Sequence, residues 1–181
     1  MVIGHSEGGI VATHLANKYP KLIAGVGILA GEDPSQLFSL YEFAKEGIFF
    51  NKEGYSKEQR IDSLTKVWKE ILSDPASTTK YFWGFTYLRW SSFLKKSAQE
   101  ELADYTGKIF IAQGESDKNV FPLSAEVIYT SLLSKGKNVQ LQLISNADHS
   151  FNISNDTKRN GWDEIIKSAS NWLMEPNKVQ R

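Results

Sequence analysis

Met1-Val2-Ile3-Gly4-His5-Ser6-Glu7-Gly8-Gly9 runs from a short, β-friendly apolar triplet straight into a glycine-rich corner. Beyond the corner, Val11, Leu15 and Tyr19 recur at i, i+4 and i+8, with Ala12 and Ala16 beside them, and Pro20 ends the pattern. That period is helical. The order strand, tight turn, helix gives a serine at the corner a definite physical use. The turn lifts its hydroxyl clear of the sheet. The glycines two residues before and after it leave room for strand and helix to come close. The helix N-terminus brings backbone N–H groups and a positive dipole end near any developing negative charge. The competing reading is a plain glycine-rich strand-to-helix turn. Its phosphate-binding versions lose ground, because neither G-x-G-x-x-G nor G-x-x-x-x-G-K-[ST] is present here.

Outward from the corner the chain alternates. Residues 22–30 (LIAGVGILA) are apolar with few charges, which fits a parallel strand covered on both faces, and Gly31-Glu32-Asp33-Pro34 breaks the run. Residues 35–96 read as mostly helical. The clearest helix begins at Ser56, with Gln59 three residues on at capping-box spacing. It places Ile61, Leu64, Trp68, Ile71 and Leu72 on one face and stops at Asp74-Pro75. Most of the chain's aromatic side chains, from Phe38 to Phe93, fall in this region and read as the small core of a helical subdomain, with a few lining a pocket.

Residues 108–113 (KIFIAQ) form the next strand, between Gly107 and Gly114, and residues 115–120 form a loop. Pro122 suits the first turn of a helix whose apolar face is Leu123, Val127, Ile128 and Leu132 and whose end is Gly136. Residues 139–144 (VQLQLI) alternate, as a strand nearer the sheet edge does, and residues 146–151 form a loop. Trp162, Ile165, Ile166, Ala169, Trp172 and Leu173 make a last amphipathic helix, followed by Pro176 and a polar tail. Such alternation defines the α/β class: a parallel sheet with helices on both faces.

Composition bounds what this fold can do. The 181 residues suffice for one domain with its own core, and 41% hydrophobic with 23% charged is ordinary for a globular chain. Lys and Arg number 21, as do Asp and Glu, so no basic excess draws the chain to nucleic acid. Cysteine is absent, which excludes disulfides, thiolate metal sites and a thiol nucleophile together. Three scattered histidines form no metal-ligand motif. No apolar run is long enough to span a bilayer. No leader is legible at Met1, which leaves the compartment open.

Residues 4–8, G-H-S-E-G, match the G-x-S-x-G nucleophile elbow, and with G-x-x-D-x-x-V at 114–120 and A-D-H-S-F at 147–151 the chain resembles the α/β-hydrolase superfamily. It is most similar to the dienelactone-hydrolase, serine-aminopeptidase and prolyl-oligopeptidase-like branches. The resemblance implies that Ser6 is a nucleophile, followed in chain order by an acid and a histidine. Asp117 lies just beyond a buried strand, at the carboxyl end where open α/β sheets gather their functional groups. A turn or helix-start residue is the alternative there, and Glu115 is a weaker competitor for the acid. The family carries its acid in this loop, which transfers the role to Asp117. His149 follows the last strand and is the base by order and by elimination. His5 packs beside the strand, and His14 sits two turns into the helix, too far for proton transfer. Asp148 reads as a loop stabiliser.

The resemblance also implies that the backbone N–H of Glu7 supports an oxyanion and that no cofactor and no metal take part. A second oxyanion donor would come from a segment preceding Met1. In the family about half of the sheet precedes the elbow. The chain therefore reads as the C-terminal portion of an α/β-hydrolase fold, truncated at its N-terminus. Its expected parts are an elbow part at 1–31, a helical cap insertion at 32–100, the rest of the core at 101–175 and a tail at 176–181. The expected substrate is a small-molecule ester, cleaved through an acyl-enzyme. The alternatives are a serine peptidase acting on short peptides, or an inactive fragment. An exposed sheet edge would invite self-association.

Overall fold

In the computed structural model, residues 1–92, 96–156 and 158–175 are described. Phe93, Pro176 and the expected tail lie outside them.

The chain divides into two compact units, Met1–Pro34 with Ser97–Arg181, and Ser35–Lys96. In the first unit, β1 (Val2–His5) leads to α1 (Glu7–Lys18) and β2 (Gly25–Leu29). In the second follow α2 (Gln36–Lys45), α3 (Lys57–Ser73), β3 (Tyr81–Phe82), β4 (Phe85–Thr86) and α4 (Tyr87–Ser92). The first unit then resumes with α5 (Ala98–Glu101), β5 (Lys108–Gly114), α6 (Pro122–Ser134), β6 (Val139–Ile144) and α7 (Gly161–Met174).

Four strands form one parallel sheet in the order β1-β2-β5-β6, with Val2 opposite Val26, Val26 opposite Ile109 and Ile109 opposite Val139. Among the described residues β1 is bonded on one side only, to β2. Side chains alternate across the sheet as the pleat dictates. Val26, Ile28, Ile109 and Ile111 pack with Ala12, Ala16, Ile128 and Leu132 on one face. Leu29, Phe110, Ala112 and Ile144 pack with Ile165, Ala169 and Leu173 on the other. One charge enters the sheet. Lys108 is 5% exposed, and its ammonium donates to the carbonyls of Trp172 and Glu175, both at 2.8 Å, at the end of α7. A cation suits a helix C-terminus, where carbonyls lack intrahelical donors.

Several expectations shift. The first strand extends through His5, and the strand expected at 22–30 is Gly25–Leu29. The buried face of α1 is Gly9, Ala12, Thr13 and Ala16, while Val11 is 57% exposed and Tyr19 43% exposed. Small residues win because the helix lies close: a Cβ on Gly9 would come within 3.0 Å of Gly31 Cα. The elbow glycines also differ from the expected pair. A Cβ on Gly4 would meet the Gly8 carbonyl oxygen at 1.8 Å, but one on Gly8 would meet nothing within 4 Å. The close approach therefore rests on Gly4, Gly9 and Gly31, and Gly8 contributes its backbone. In α6 the buried residues are Ser124, Ala125, Ile128 and Leu132, with Leu123 exposed.

The Ser35–Lys96 unit has its own core of Leu40, Ala44, Phe49, Leu64, Ile71, Tyr87 and Trp90. Its α3 carries the expected capping box: Gln59 N–H donates to Ser56 Oγ, and Ser56 N–H donates to Gln59 Oε1. Leu72 faces out. The unit is not purely helical, because β3 and β4 form a hairpin. Its two turn residues, Trp83 and Gly84, have φ of 46° and 81°, as a type I′ turn requires. A tryptophan is an unusual occupant of that position, so no turn signal announced it.

Candidate active site

Ser6, Asp117 and His149 each follow a strand of the parallel sheet, at its carboxyl end. Ser6 sits between β1 and α1 with φ 53° and ψ −130°. A non-glycine residue held there is strained, by about 1–3 kcal/mol. The surroundings fix it: Ser6 N–H donates to Leu29 O at 3.0 Å, and Gly9 N–H donates to Ser6 O at 2.8 Å. Glu7 is the first residue of α1, at the positive end of its dipole, and its side chain is exposed.

Asp117 is 3% exposed. Asn119 and Val120 N–H groups donate to its Oδ1 at 2.8 and 3.1 Å, and Gln113 Nε2 donates to its Oδ2 at 2.8 Å. Gln113 also donates to Val120 O at 3.0 Å, which ties the end of β5 to the loop. Oδ2 receives one further bond, from His149 Nδ1 at 2.8 Å. Across the ring, His149 Nε2 lies 3.1 Å from Ser6 Oγ. Three residues remote in sequence thus form one continuous hydrogen-bonded line. The carboxylate fixes the proton on Nδ1, which leaves Nε2 to accept from the serine hydroxyl.

The loops that carry Asp117 and His149 touch directly. Glu115 N–H donates to Ile144 O at 3.0 Å and Ser116 N–H to Ala147 O at 2.9 Å. A Cβ on Gly114 would lie 2.5 Å from the carbonyl oxygens of both Ala147 and Asp148, so only glycine permits this contact. Within the His149 loop, Asp148 Oδ1 accepts from the N–H groups of Ser150 and Asn152, both at 2.9 Å. These bonds, the Asn152 side-chain amide foremost, hold the Asp148 carboxyl below the usual carboxylate range. Asp148 therefore shapes the loop. Glu115 Oε2 accepts from Ser145 Oγ at 2.6 Å. His14 is exposed, with Nδ1 3.3 Å from Glu101 Oε1.

Sequence reasoning missed three features. One is Gln113, 1% exposed, a lone amide at the end of an apolar strand, and that misfit was its signal. Another is the His5 ring, whose Nε2 donates to the His149 carbonyl at 2.8 Å. The third is Glu32, 5% exposed, beside Gly31 at the end of β2. Burial pushes its pKa up to about 8, with Glu101 and Asp33 adding repulsion against hydrogen bonds from Thr13 and the Ala98 backbone. Its Oε2 has no hydrogen-bond partner among the described residues. A Cβ on the adjacent Gly31 would sit 2.8 Å from Ser6 O, so the backbone just before Glu32 abuts the turn that bears Ser6.

Among the described residues, no cluster of three or more potential metal ligands occurs, and no helix is long and apolar enough to cross a membrane.

The family model of esterases, described as "Putative esterase", matches residues 1–173. No curated protein matches. Among solved structures, Est1E from Butyrivibrio proteoclasticus is 14% identical, with 94% of this chain and 58% of that one covered, at a TM-score of 0.57. Esterase E22 is 16% identical over 95% and 60%, at 0.56. An α/β fold family hydrolase from Bacillus anthracis is 16% identical over 94% and 66%, at 0.55. The likeness shows the α/β-hydrolase fold, and the chain spans about 58–66% of these relatives' length.

Proposed function

This chain belongs to the esterase family, and on that premise we infer that it contributes the catalytic residues of a serine hydrolase that cleaves an ester through an acyl-enzyme. Ser6 Oγ attacks the substrate carbonyl while His149 Nε2 takes its proton. Asp117 holds the imidazole in the productive tautomer and stabilises the imidazolium that forms. The tetrahedral oxyanion lies against the N–H of Glu7 at the start of α1, in reach of the helix dipole. As that intermediate collapses, His149 returns the proton to the departing alkoxide. Water, deprotonated in turn by His149, then releases the acid and restores Ser6. The chemistry requires no cofactor.

One observation carries this reading: the line from Ser6 Oγ through His149 to Asp117, at 3.1 and 2.8 Å. The strained backbone of Ser6 supports it, since such strain persists where the surroundings over-determine it and gathers at functional sites.

A fluorophosphonate probe tests it. The chain should be labelled at Ser6 and Ser6→Ala should not be; labelling that persists in Ser6→Ala would refute the assignment. Turnover of p-nitrophenyl acyl esters without turnover of aminoacyl amides is the expected substrate pattern. Preference for the amides would instead make the protein a peptidase working with the same residues.

A further inference from the structure

We propose that His5 is a positioning residue for His149, a cross-tie that holds the loop bearing the base against the strand bearing the nucleophile. The proposal rests on the reading of Ser6 and His149 as nucleophile and base.

His5 is the last residue of β1, paired with Leu29 in the sheet, and the next residue is Ser6. Its backbone is therefore as fixed as that of the serine. Its Nε2 lies 2.8 Å from the His149 main-chain oxygen. A carbonyl oxygen only accepts, so this nitrogen must carry the proton. Ring contacts fix the donor's direction. The His5 ring stands edge-on to Trp162 at 5.0 Å, tilted against the His149 ring at 4.9 Å and 6.0 Å from Phe151.

Apolar packing of Ala147, Phe151 and Ile153 seats the loop on the sheet, and apart from the Ser6 contact its other hydrogen bonds run elsewhere. Asp148 clamps Ser150 and Asn152, the Ala147–Ile153 bridge closes the base of the loop, and Ser116 N–H binds Ala147 O. These contacts hold the loop to itself and to the loop that carries Asp117. Phe151 has φ 58°, a strained state for a bulky residue, so the loop is not at rest in isolation. The His5 bond links His149 to the nucleophile strand through the main chain, independently of the Ser6 Oγ contact. Proton transfer across that 3.1 Å contact is sensitive to drift, and a displacement of ~1 Å can cost about 100-fold in rate.

Two variants separate the donor from the ring. His5→Phe keeps an aromatic body against Trp162 and removes the N–H. His5→Gln places an amide N–H near the Nε2 position. The rate of fluorophosphonate labelling should fall roughly 10- to 100-fold in His5→Phe, with KM for an acyl ester unchanged wherever turnover is measurable, and recover to within a few-fold in His5→Gln. A second readout does not need activity. The far-downfield proton resonance of the His149–Asp117 hydrogen bond should broaden or shift in His5→Phe and return in His5→Gln, while circular dichroism shows all three proteins folded. Wild-type labelling and an unmoved resonance in folded His5→Phe would overturn the proposal. So would failure of His5→Gln to restore either signal. Labelling that survives His149→Ala would mark failure of the underlying triad reading instead, and would leave His5 with no base to position.

Discussion

Replacing Glu32 by glutamine should flatten the dependence of stability on pH. Burial raises the Glu32 pKa from 4.5 to about 8, with Glu101 of α5 and the neighbouring Asp33 as like charges and Thr13 of α1 and the Ala98 N–H as hydrogen-bond partners. Between those two pH values the folded protein keeps a proton that the unfolded chain releases. The contribution to stability is thus complete below about pH 4.5, falls as pH rises and is lost above about pH 8. At ~1.4 kcal/mol per unit, the shift amounts to up to ~5 kcal/mol across the window. About 4 kcal/mol of this falls between pH 5 and pH 8. Glutamine keeps the shape and cannot ionise. With a urea m-value of about 2 kcal/mol per molar, the unfolding midpoint of the natural protein should drop by about 2 M relative to Glu32→Gln over that range. Urea titrations of both proteins at half-unit pH steps give the difference directly, and groups that titrate alike in both cancel. Midpoints that stay parallel from pH 5 to pH 9 would show that Glu32 ionises without cost where it sits, and would refute the reasoning from burial.

Two further outcomes follow from the site. Asp117→Asn should leave the fold intact, because Gln113 and the loop N–H groups can still be served in part, yet lower kcat by about 10⁴-fold through the wrong histidine tautomer; steady-state ester hydrolysis reads this, and a loss below tenfold would contradict the role given to Asp117. Gly114→Ala should push the loops that carry Asp117 and His149 apart, since its Cβ would lie 2.5 Å from two carbonyl oxygens; a thermal midpoint lowered by several degrees together with slowed probe labelling is expected, and an unchanged protein would mean that the loops move apart freely.

Local patterns carried most of the fold. The capping box at Ser56, the proline that opens α6 and the apolar run of β5 are short-range signals whose partners lie within a turn or a strand. The elbow was legible for the same reason. What escaped depends on contacts that no spacing encodes. Thr13 on the buried face of α1 and the exposure of Val11 follow from how closely the helix meets Gly31, which is a tertiary fact. The β3–β4 hairpin lacked any asparagine or aspartate to signal its turn. His5 was expected beside the strand, but its bond to a carbonyl 144 residues away could not be read from sequence.

Lys108 gives β5 a means of identifying its own neighbours. Its ammonium is satisfied only where the last turn of α7 presents the carbonyls of Trp172 and Glu175. If the strand slipped by one residue, its side chains would exchange faces, and the charge would be carried to the opposite layer without those acceptors. Mispaired arrangements are thus penalised by a single side chain, and the docking of the final helix proofreads the alignment of a strand formed some fifty residues earlier.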